Sequence, residues 1–408
     1  MPEKYRIPCL SLLILCLLSA GANAQWTSQT ISLKEGWNAV FLEVKPHPAQ
    51  CDSLLAGLPV ASVWTFDQRF SSVEFVQDLG QLNPQLPDWR CYFPPDDPRA
   101  FTTNLFILEA GRAYLIEAEE AFDWTITGRP RLTRQEWKPG AYNFTGFWID
   151  PANPPGFDTW FSGAESHQPV DAWRLNASGV WQKIANTATT KINRGEAYWV
   201  YCSAQSDFQG PVGISLPQGT ALEYGLTLVE QTLEFQTVAS TTRTITVSRA
   251  ASAAVPDSQC PALLGGVPLA WYGKIVQDEQ NFSYGYSSLP VSMAISPEQP
   301  LPASLRLAVE RPEMASAVSD GVYQSLLEIK SNSGFRRYIG VTAESHSSAA
   351  QKLSLQQASD PSAGLWVGNV VLNQVSNSGQ APSDTAGSFE YRVILHVASD
   401  GTVRLLNE

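Results

Sequence analysis

Apolar and polar residues change places at almost every step along much of this chain. Thr244-Ile245-Thr246-Val247 alternates cleanly, the period of a half-buried strand. Tyr198, Val200 and Cys202 alternate with Trp199 and Tyr201. Trp173 and Leu175 are followed by Ala177-Ser178-Gly179 and then by Val180 and Ile184, which predicts a hairpin. Near the end, Asp400-Gly401 separates alternating runs at 389–397 and 402–406, a strong hairpin signal. Further strands are expected at 220–229, 232–238, 243–249, 291–295, 304–310, 323–330 and 336–343. Short strands at that spacing predict an immunoglobulin-like sandwich, without the Cys…Trp…Cys signature of antibody domains. Helical expectations are confined to two short segments, 48–57 and 154–163, each with Pro at its start and Gly at its end.

Those two segments belong to a longer repeat. Lys34-Glu35-Gly36-Trp37-Asn38 opens one copy and Lys138-Pro139-Gly140-Ala141-Tyr142-Asn143 the other. The Pro-to-Gly helix follows in each. A strand with a central Trp comes next, at Ser62-Val63-Trp64-Thr65-Phe66 and Asp171-Ala172-Trp173-Arg174-Leu175. Each copy closes on a similar phrase, Ala110-Gly111-Arg112-Ala113-Tyr114-Leu115-Ile116 and Arg194-Gly195-Glu196-Ala197-Tyr198-Trp199-Val200. Landmarks in one order imply a tandem duplication. The first copy holds extra residues at 77–104, rich in Pro and aromatics, which reads as a surface loop. The predicted fold class is all-β, with tandem Trp-rich β-modules, an immunoglobulin-like β-sandwich and a small C-terminal β-region. The expected boundaries are a signal peptide at 1–24, modules at 25–132 and 133–214, the sandwich at 215–345, and a linker with a terminal hairpin at 346–408.

Composition narrows the class. Of 408 residues, 44 % are hydrophobic and 16 % charged, too apolar for a chain disordered by charge. Lys+Arg is 27 against Asp+Glu 39, so the formal net charge of −12 speaks against nucleic acid as a partner. Lys4 and Arg6, an apolar run at 7–18 and Ala22-Asn23-Ala24 read as an export signal cleaved before Gln25. Lipidation at Cys16 would need a small residue in place of Leu15. No later run is long and apolar enough for a membrane span in the mature chain. The expected location is therefore extracellular, at the cell surface or in the periplasm. Cys51, Cys91, Cys202 and Cys260 follow the signal. An even number in an exported chain permits disulfides, with Cys51 and Cys91 the preferred pair; isolated buried thiols are the alternative. At the chain's end, the final hairpin leaves an edge that either pairs inside a compact fold or offers a route to an oligomer.

Catalytic patterns are sparse. The His residues, His47, His167, His346 and His396, fall in no HxH or HExxH spacing, and no metal site or cofactor is expected. G-x-S-x-G, Walker A and GxGxxG motifs do not occur. Glu117 and Glu119 alternate after a strand, so they can share a face as a glycosidase pair would; a solvated turn is the plainer account. Asp96, Asp97 and Asp150 supply oxygen in Pro-rich loops without the spacing of a calcium loop. Asn143, Asn176 and Asn281 open sequons that arise readily in a Ser/Thr-rich chain. Aromatic rings are the better candidates, because flat exposed rings stack on sugars and anchor protein contacts. Eleven of the 13 Trp lie between Trp26 and Trp199. Trp64, Trp173, Tyr114 and Tyr198 recur between copies and read as core. Trp89, Tyr92, Phe93 and Trp148 do not recur, and are the candidate ligand-binding residues.

The phrases Glu35-Gly36-Trp37-Asn38 and Gly195-Glu196-Ala197-Tyr198-Trp199-Val200 resemble a repeated β-module of large exported bacterial proteins, in which GWN starts a strand and GxGYW ends the unit. The segments at 365–368 and 395–405 are also similar to parts of such proteins. Ala113 and Ala197 stand where that pattern has Gly. The resemblance implies a surface or extracellular role and no catalytic residue. The resulting expectation is a non-catalytic modular protein with a binding or structural role outside the cytoplasm, contacting glycans or surface proteins. The alternatives are a carbohydrate-active hydrolase, or an assembly subunit that pairs through its C-terminal hairpin.

Overall fold

The computed structural model describes residues 25–67, 75–239, 241–254, 256, 263–276, 282–299, 301–314, 321–345, 364–372, 389–397 and 403–406. The expected signal at 1–24, Cys260, Asn281, the linker at 346–363 with His346, the loop at 376–388 and Asp400-Gly401 lie outside these residues. The protein is nearly all β, in several sheets. It divides into a large unit, 1–314 with 321–345, and a small one, 315–320 with 346–408.

The first copy of the repeat contains β1 (Thr27–Leu33), β2 (Gly36–Leu42), β3 (Val44–Pro46), the single turn α1 (Cys51–Leu54), β4 (Val60–Phe66), β5 (Trp89–Tyr92), β6 (Arg112–Ala118) and β7 (Phe122–Pro130). They form an antiparallel sheet of order β2-β6-β4-β5 and a second of order β1-β7-β3. The second copy contains β8 (Ala141–Gly146), α2 (Phe157–Trp160), β9 (Ala172–Leu175), β10 (Trp181–Lys183) and β11 (Ala197–Cys202), in the order β8-β11-β9-β10. Opening strand, closing strand, central Trp strand and a fourth strand thus follow one order in both.

The register agrees residue by residue. Trp64 lies opposite Leu115, and Trp173 opposite Trp199, each partner one residue after the closing Tyr. Phe66 lies opposite Trp89, and Leu175 opposite Trp181. Trp89 is therefore the counterpart of Trp181, and β5 is the repeat's fourth strand. The expectation of one surface loop at 77–104 is corrected accordingly, because Pro-rich flanks on both sides conceal a four-residue strand. The turns match as well. Asn38 Oδ1 accepts from the Lys34 amide, and its Nδ2 donates to the Lys34 and Gly36 carbonyls. Asn143 does the same with Lys138 and Ala141. Tyr114 and Tyr198 each accept, at the hydroxyl, the amide of the residue five positions earlier, Glu109 and Asn193.

The copies pack sheet against sheet. Trp64, Trp89, Cys91, Phe93 and Leu115 of the first meet Leu175, Trp181 and Trp199 of the second in one buried cluster. Part of the long β4–β5 connection caps it, with Phe75 stacked on Trp199 at 4.8 Å and Leu79, Leu82 and Leu86 alongside. A smaller cluster of Phe41, Ala113, Trp148 and Ala197 marks the closest approach. Apolar area hidden on both sides is the main stabilisation of such a block.

The sandwich takes β12 (Gly213–Ser215), β13 (Leu222–Glu223), β14 (Glu230–Gln236), β15 (Arg243–Ala250), β16 (Leu263–Gly265), β17 (Leu269–Val276), β18 (Phe282–Ser288), β19 (Val291–Ile295), β20 (Ala303–Val309), the turn α3 (Arg311–Met314), β21 (Gly321–Ser331) and β22 (Arg336–Ser345). One sheet runs β12-β14-β20-β17-β18 and the other β13-β22-β21-β15-β19, with β16 beside β21. Leu233, Phe235, Leu305 and Leu307 of the first are buried, as are Ile245, Val247, Leu327, Ile329, Ile339 and Val341 of the second. The strand expected over 220–229 is shorter than read, since Gly225 turns the chain at φ 48°. The sandwich is joined to the repeat block. Arg336 donates its amide to the Trp148 carbonyl at 3.1 Å, and Ile149 bridges Phe335. In the small unit, β23 (Gly364–Leu372), β24 (Phe389–Val397) and β25 (Val403–Leu406) form one antiparallel sheet in that order.

Candidate functional site

The four aromatic candidates sit inside. Trp89 is 4 % exposed, Tyr92 3 %, Phe93 2 % and Trp148 7 %. Trp89 packs at 6.3 Å from Trp199 across the inter-copy core, and Phe93 edge-on to Trp64 at 5.6 Å. Tyr92 points through the opposite face of the strand into the other core of its module. Trp148 is held between Phe41, edge-on at 5.0 Å, and the Arg337 guanidinium, 3.7 Å above its ring. Trp89 and Tyr92 lie on a strand with two packed faces and no outer side, while Phe93 and Trp148 follow strand ends and are covered by their neighbours. No ring face among these four is open to a ligand.

The preferred disulfide is also corrected. Cys51 and Cys91 are both buried free thiols, as is Cys202. Cys51 lies in the core on one side of the β2-β6-β4-β5 sheet and Cys91 in the core on the other, so the sheet stands between them. Burial pushes the Cys51 thiol up to about 12, and raises Cys91 as well. Both are inert packing residues rather than nucleophiles.

The carboxylates are dispersed. Glu117 accepts the Ser62 hydroxyl at 2.8 Å, and that oxygen in turn accepts the Trp64 indole N–H at 3.0 Å. Glu119 and Glu120 stand exposed beyond the end of β6. Asp97 is paired with Arg99 at 2.8 Å and Asp150 lies 3.8 Å from Lys330. His167 is buried beside Trp137 and bonded to Ser206, and His47 stacks edge-on to Trp26. Among the described residues no group of three or more His, Cys, Asp or Glu is placed to hold a metal ion. No helix among them is long and apolar enough to cross a membrane.

Two open concavities lie where the copies meet. Cleft 1, about 500 Å³, is walled by the opening of the first copy (Lys34, Trp37, Asn38) and the closing of the second (Asn193, Arg194, Glu196), with Asn176 at the tip of the β9–β10 turn. Cleft 2, about 350 Å³, is walled by the opening of the second copy (Lys138, Asn143, Thr145) and the closing of the first (Glu109, Arg112), with Asp67 after β4. The two clefts are the same construction with the copies exchanged, as expected when a duplicated module packs with approximate twofold symmetry.

Their electrostatics are those of paired charges. In cleft 1 Glu196 accepts from Asn193 Nδ2 at 2.9 Å and the Tyr198 hydroxyl at 2.8 Å, and meets Arg174 at 2.8 Å. Lys34 donates to the Asn176 carbonyl; burial holds its ammonium below the usual range, with Glu196 opposing. Arg194 pairs with the buried Glu43 at 2.7 Å. In cleft 2, Arg90 and Arg112 hold Asp67 below the usual carboxylate range despite its partial burial. Cleft 1 has one aromatic wall, the half-buried Trp37, and cleft 2 has two, Phe66 and Phe144. Such a site offers hydrogen bonds and a ring edge to a polar ligand. In the sequence Trp37 stands out only as a landmark of the repeat's opening phrase and is not among the ligand candidates. Spacing does not separate Trp37 from its counterpart Tyr142, which stands in the same place before the turn-closing Asn143.

No family model matches the chain, and no curated protein matches it. Among solved structures, the ASH/PapD-like domain of human CEP192 (PapD-like domain 7) aligns over 34 % of this chain and 84 % of that one, at 11 % identity and TM-score 0.18. At that score the likeness carries no argument about fold or function.

Proposed function

We propose that this chain is a non-catalytic modular protein of the cell surface or extracellular space, with a binding or structural role, and that cleft 1 is where it contacts a glycan or surface protein. The observation that carries the reading is the reciprocal pair of polar clefts built from the repeat's opening and closing motifs. Glu196, Asp67 and Glu109 in them are tied to Arg or Lys, which suits hydrogen bonding to a polar ligand better than proton transfer. Duplication supports the same reading, since it yields two related recognition surfaces on one block.

A glycan array and an overlay on cell-envelope proteins, run with the wild type and with Trp37→Ala, test this. The expected result is a ligand retained by the wild type and lost in Trp37→Ala. No binding, or binding indifferent to that change, contradicts it. Reducing-end release from a polysaccharide, abolished in Glu117→Gln, would replace it with a hydrolase.

A further inference from the structure

The repeat places a lysine at the same point of both clefts. Lys34 opens the first copy and lies in the wall of cleft 1. Lys138 opens the second and lies in the wall of cleft 2. In each copy the turn-closing asparagine clamps both backbone groups of that lysine. Asn38 Oδ1 accepts the Lys34 amide at 3.0 Å, and its Nδ2 donates to the Lys34 carbonyl at 2.8 Å. Asn143 holds Lys138 in the same way, at 2.8 and 3.1 Å. The clamp fixes where each lysine side chain starts on its cleft wall.

Most charges around the two lysines are matched. In cleft 1, Glu196 is paired with Arg174 and Arg194 with Glu43. In cleft 2, Asp67 is paired with Arg90 and Arg112, and Glu109 with Lys45. The exposed Arg134 and Glu136 add one charge of each sign to cleft 2. Neither Lys34 nor Lys138 has an ion-pair partner among the described residues. The opening lysine is thus the cation without a carboxylate that both clefts share. Lys34 donates to the Asn176 carbonyl, and an ammonium with three N–H groups keeps two to give. Burial holds it below its usual range, so an anion that replaces its lost water favours the charged form.

We infer that both clefts take an acidic glycan, the opening lysine of each donating to a carboxylate or sulfate on the sugar. The inference rests on the proposed glycan reading and adds to it the charge of the ligand and a second site. Charge-assisted hydrogen bonds are about twice as strong as neutral ones, which suits the lysine to select between acidic and neutral sugars. An apolar wall for the sugar ring stands in each cleft, Trp37 in one and Phe66 with Phe144 in the other. The chain's net charge of −12 does not oppose this. Charges in solution are screened beyond about 8 Å at physiological salt, so an acid inside a cleft meets the nearby lysine first.

Titration calorimetry of the chain from Gln25 onward tests it, with trigalacturonate, its methyl ester, sulfated maltotriose and maltotriose as probes. The wild type is expected to bind an acidic probe at two sites per chain, more weakly as salt rises, and neither neutral counterpart. The carboxylate and sulfate arms tell which acid the clefts take. Lys34→Gln and Lys138→Gln are each expected to lose one site and the double variant both, while Lys34→Arg keeps two. Thermal unfolding is expected to match the wild type in every variant, because the asparagine clamp holds only the lysine backbone. Acidic binding that is absent, or unchanged in the double variant, overturns the inference. So does equal binding of acidic and neutral probes; if that binding is lost in Trp37→Ala, cleft 1 stays a glycan site and only the charge selection falls.

Discussion

Asn38 and Asn143 show what the repeat conserves at the level of single residues. Each closes the turn into its copy's opening strand with one accepted and two donated hydrogen bonds. The short amide is suited to that task, since it mimics backbone and leaves few orphaned groups in a partly buried turn. The asparagines were visible in the sequence as landmarks, but their function as turn closures was not, because spacing alone does not tell a buried amide from an exposed one. His167 is a residue of another kind. It packs at 4.3 Å from Trp137 and 4.9 Å from Phe161, and burial pushes its pKa down to about 4. The unfolded chain, with an ordinary His near 6.5, binds the proton first. Stability contributed by this site is therefore present above that value and is lost as pH falls from about 6.5 towards 4. Between pH 7 and 5 the wild type should lose about 2 kcal/mol more than His167→Gln in denaturant titrations. Equal losses would remove His167 from the acid sensitivity.

Strands were the legible elements and their packing was not. Alternation located β9, β10, β11, β15 and β19 to β22, and among these β11 is buried on both faces. It missed β5, whose four residues are buried on both sides apart from Arg90, and it missed β17 and β18, where Tyr and Gly interrupt the apolar count. It also could not show that the two copies share a core. Trp89 looked like an isolated loop aromatic because the partner that buries it, Trp199, is far away in sequence. The strand elements meet most closely at Gly146 of β8. A Cβ there would stand 2.3 Å from the Phe41 Cβ across the copy boundary and 2.8 Å from the Glu196 carbonyl oxygen of its own copy. Overpacking of a tight contact costs about 1–3 kcal/mol. Gly146→Ala is expected to lower stability by that amount, and by less in a chain that already carries Phe41→Gly, which removes the Cβ it would meet, read as non-additivity in thermal unfolding. Additive losses would place the contact elsewhere.

For the molecule as a whole, the arrangement of the copies forms both the shared core and the clefts. The clefts exist only because one copy's opening lies beside the other's closing, and the aromatic core exists only because both copies contribute to it. The crowding of Trp in one half follows from this. Duplication doubled a Trp-bearing sheet, and the two sheets then buried their rings against each other. The sandwich is braced on the same block through Trp148, Arg336 and Arg337. The most direct test is to produce residues 25–132 alone, residues 133–214 alone, and the two joined as 25–214. The account predicts cooperative thermal unfolding and native near-ultraviolet dichroism only for 25–214, with each single copy exposing its aromatic face and binding a hydrophobic dye. A single copy that unfolds cooperatively, with the same Trp signal it shows in the joined block, would contradict the shared core.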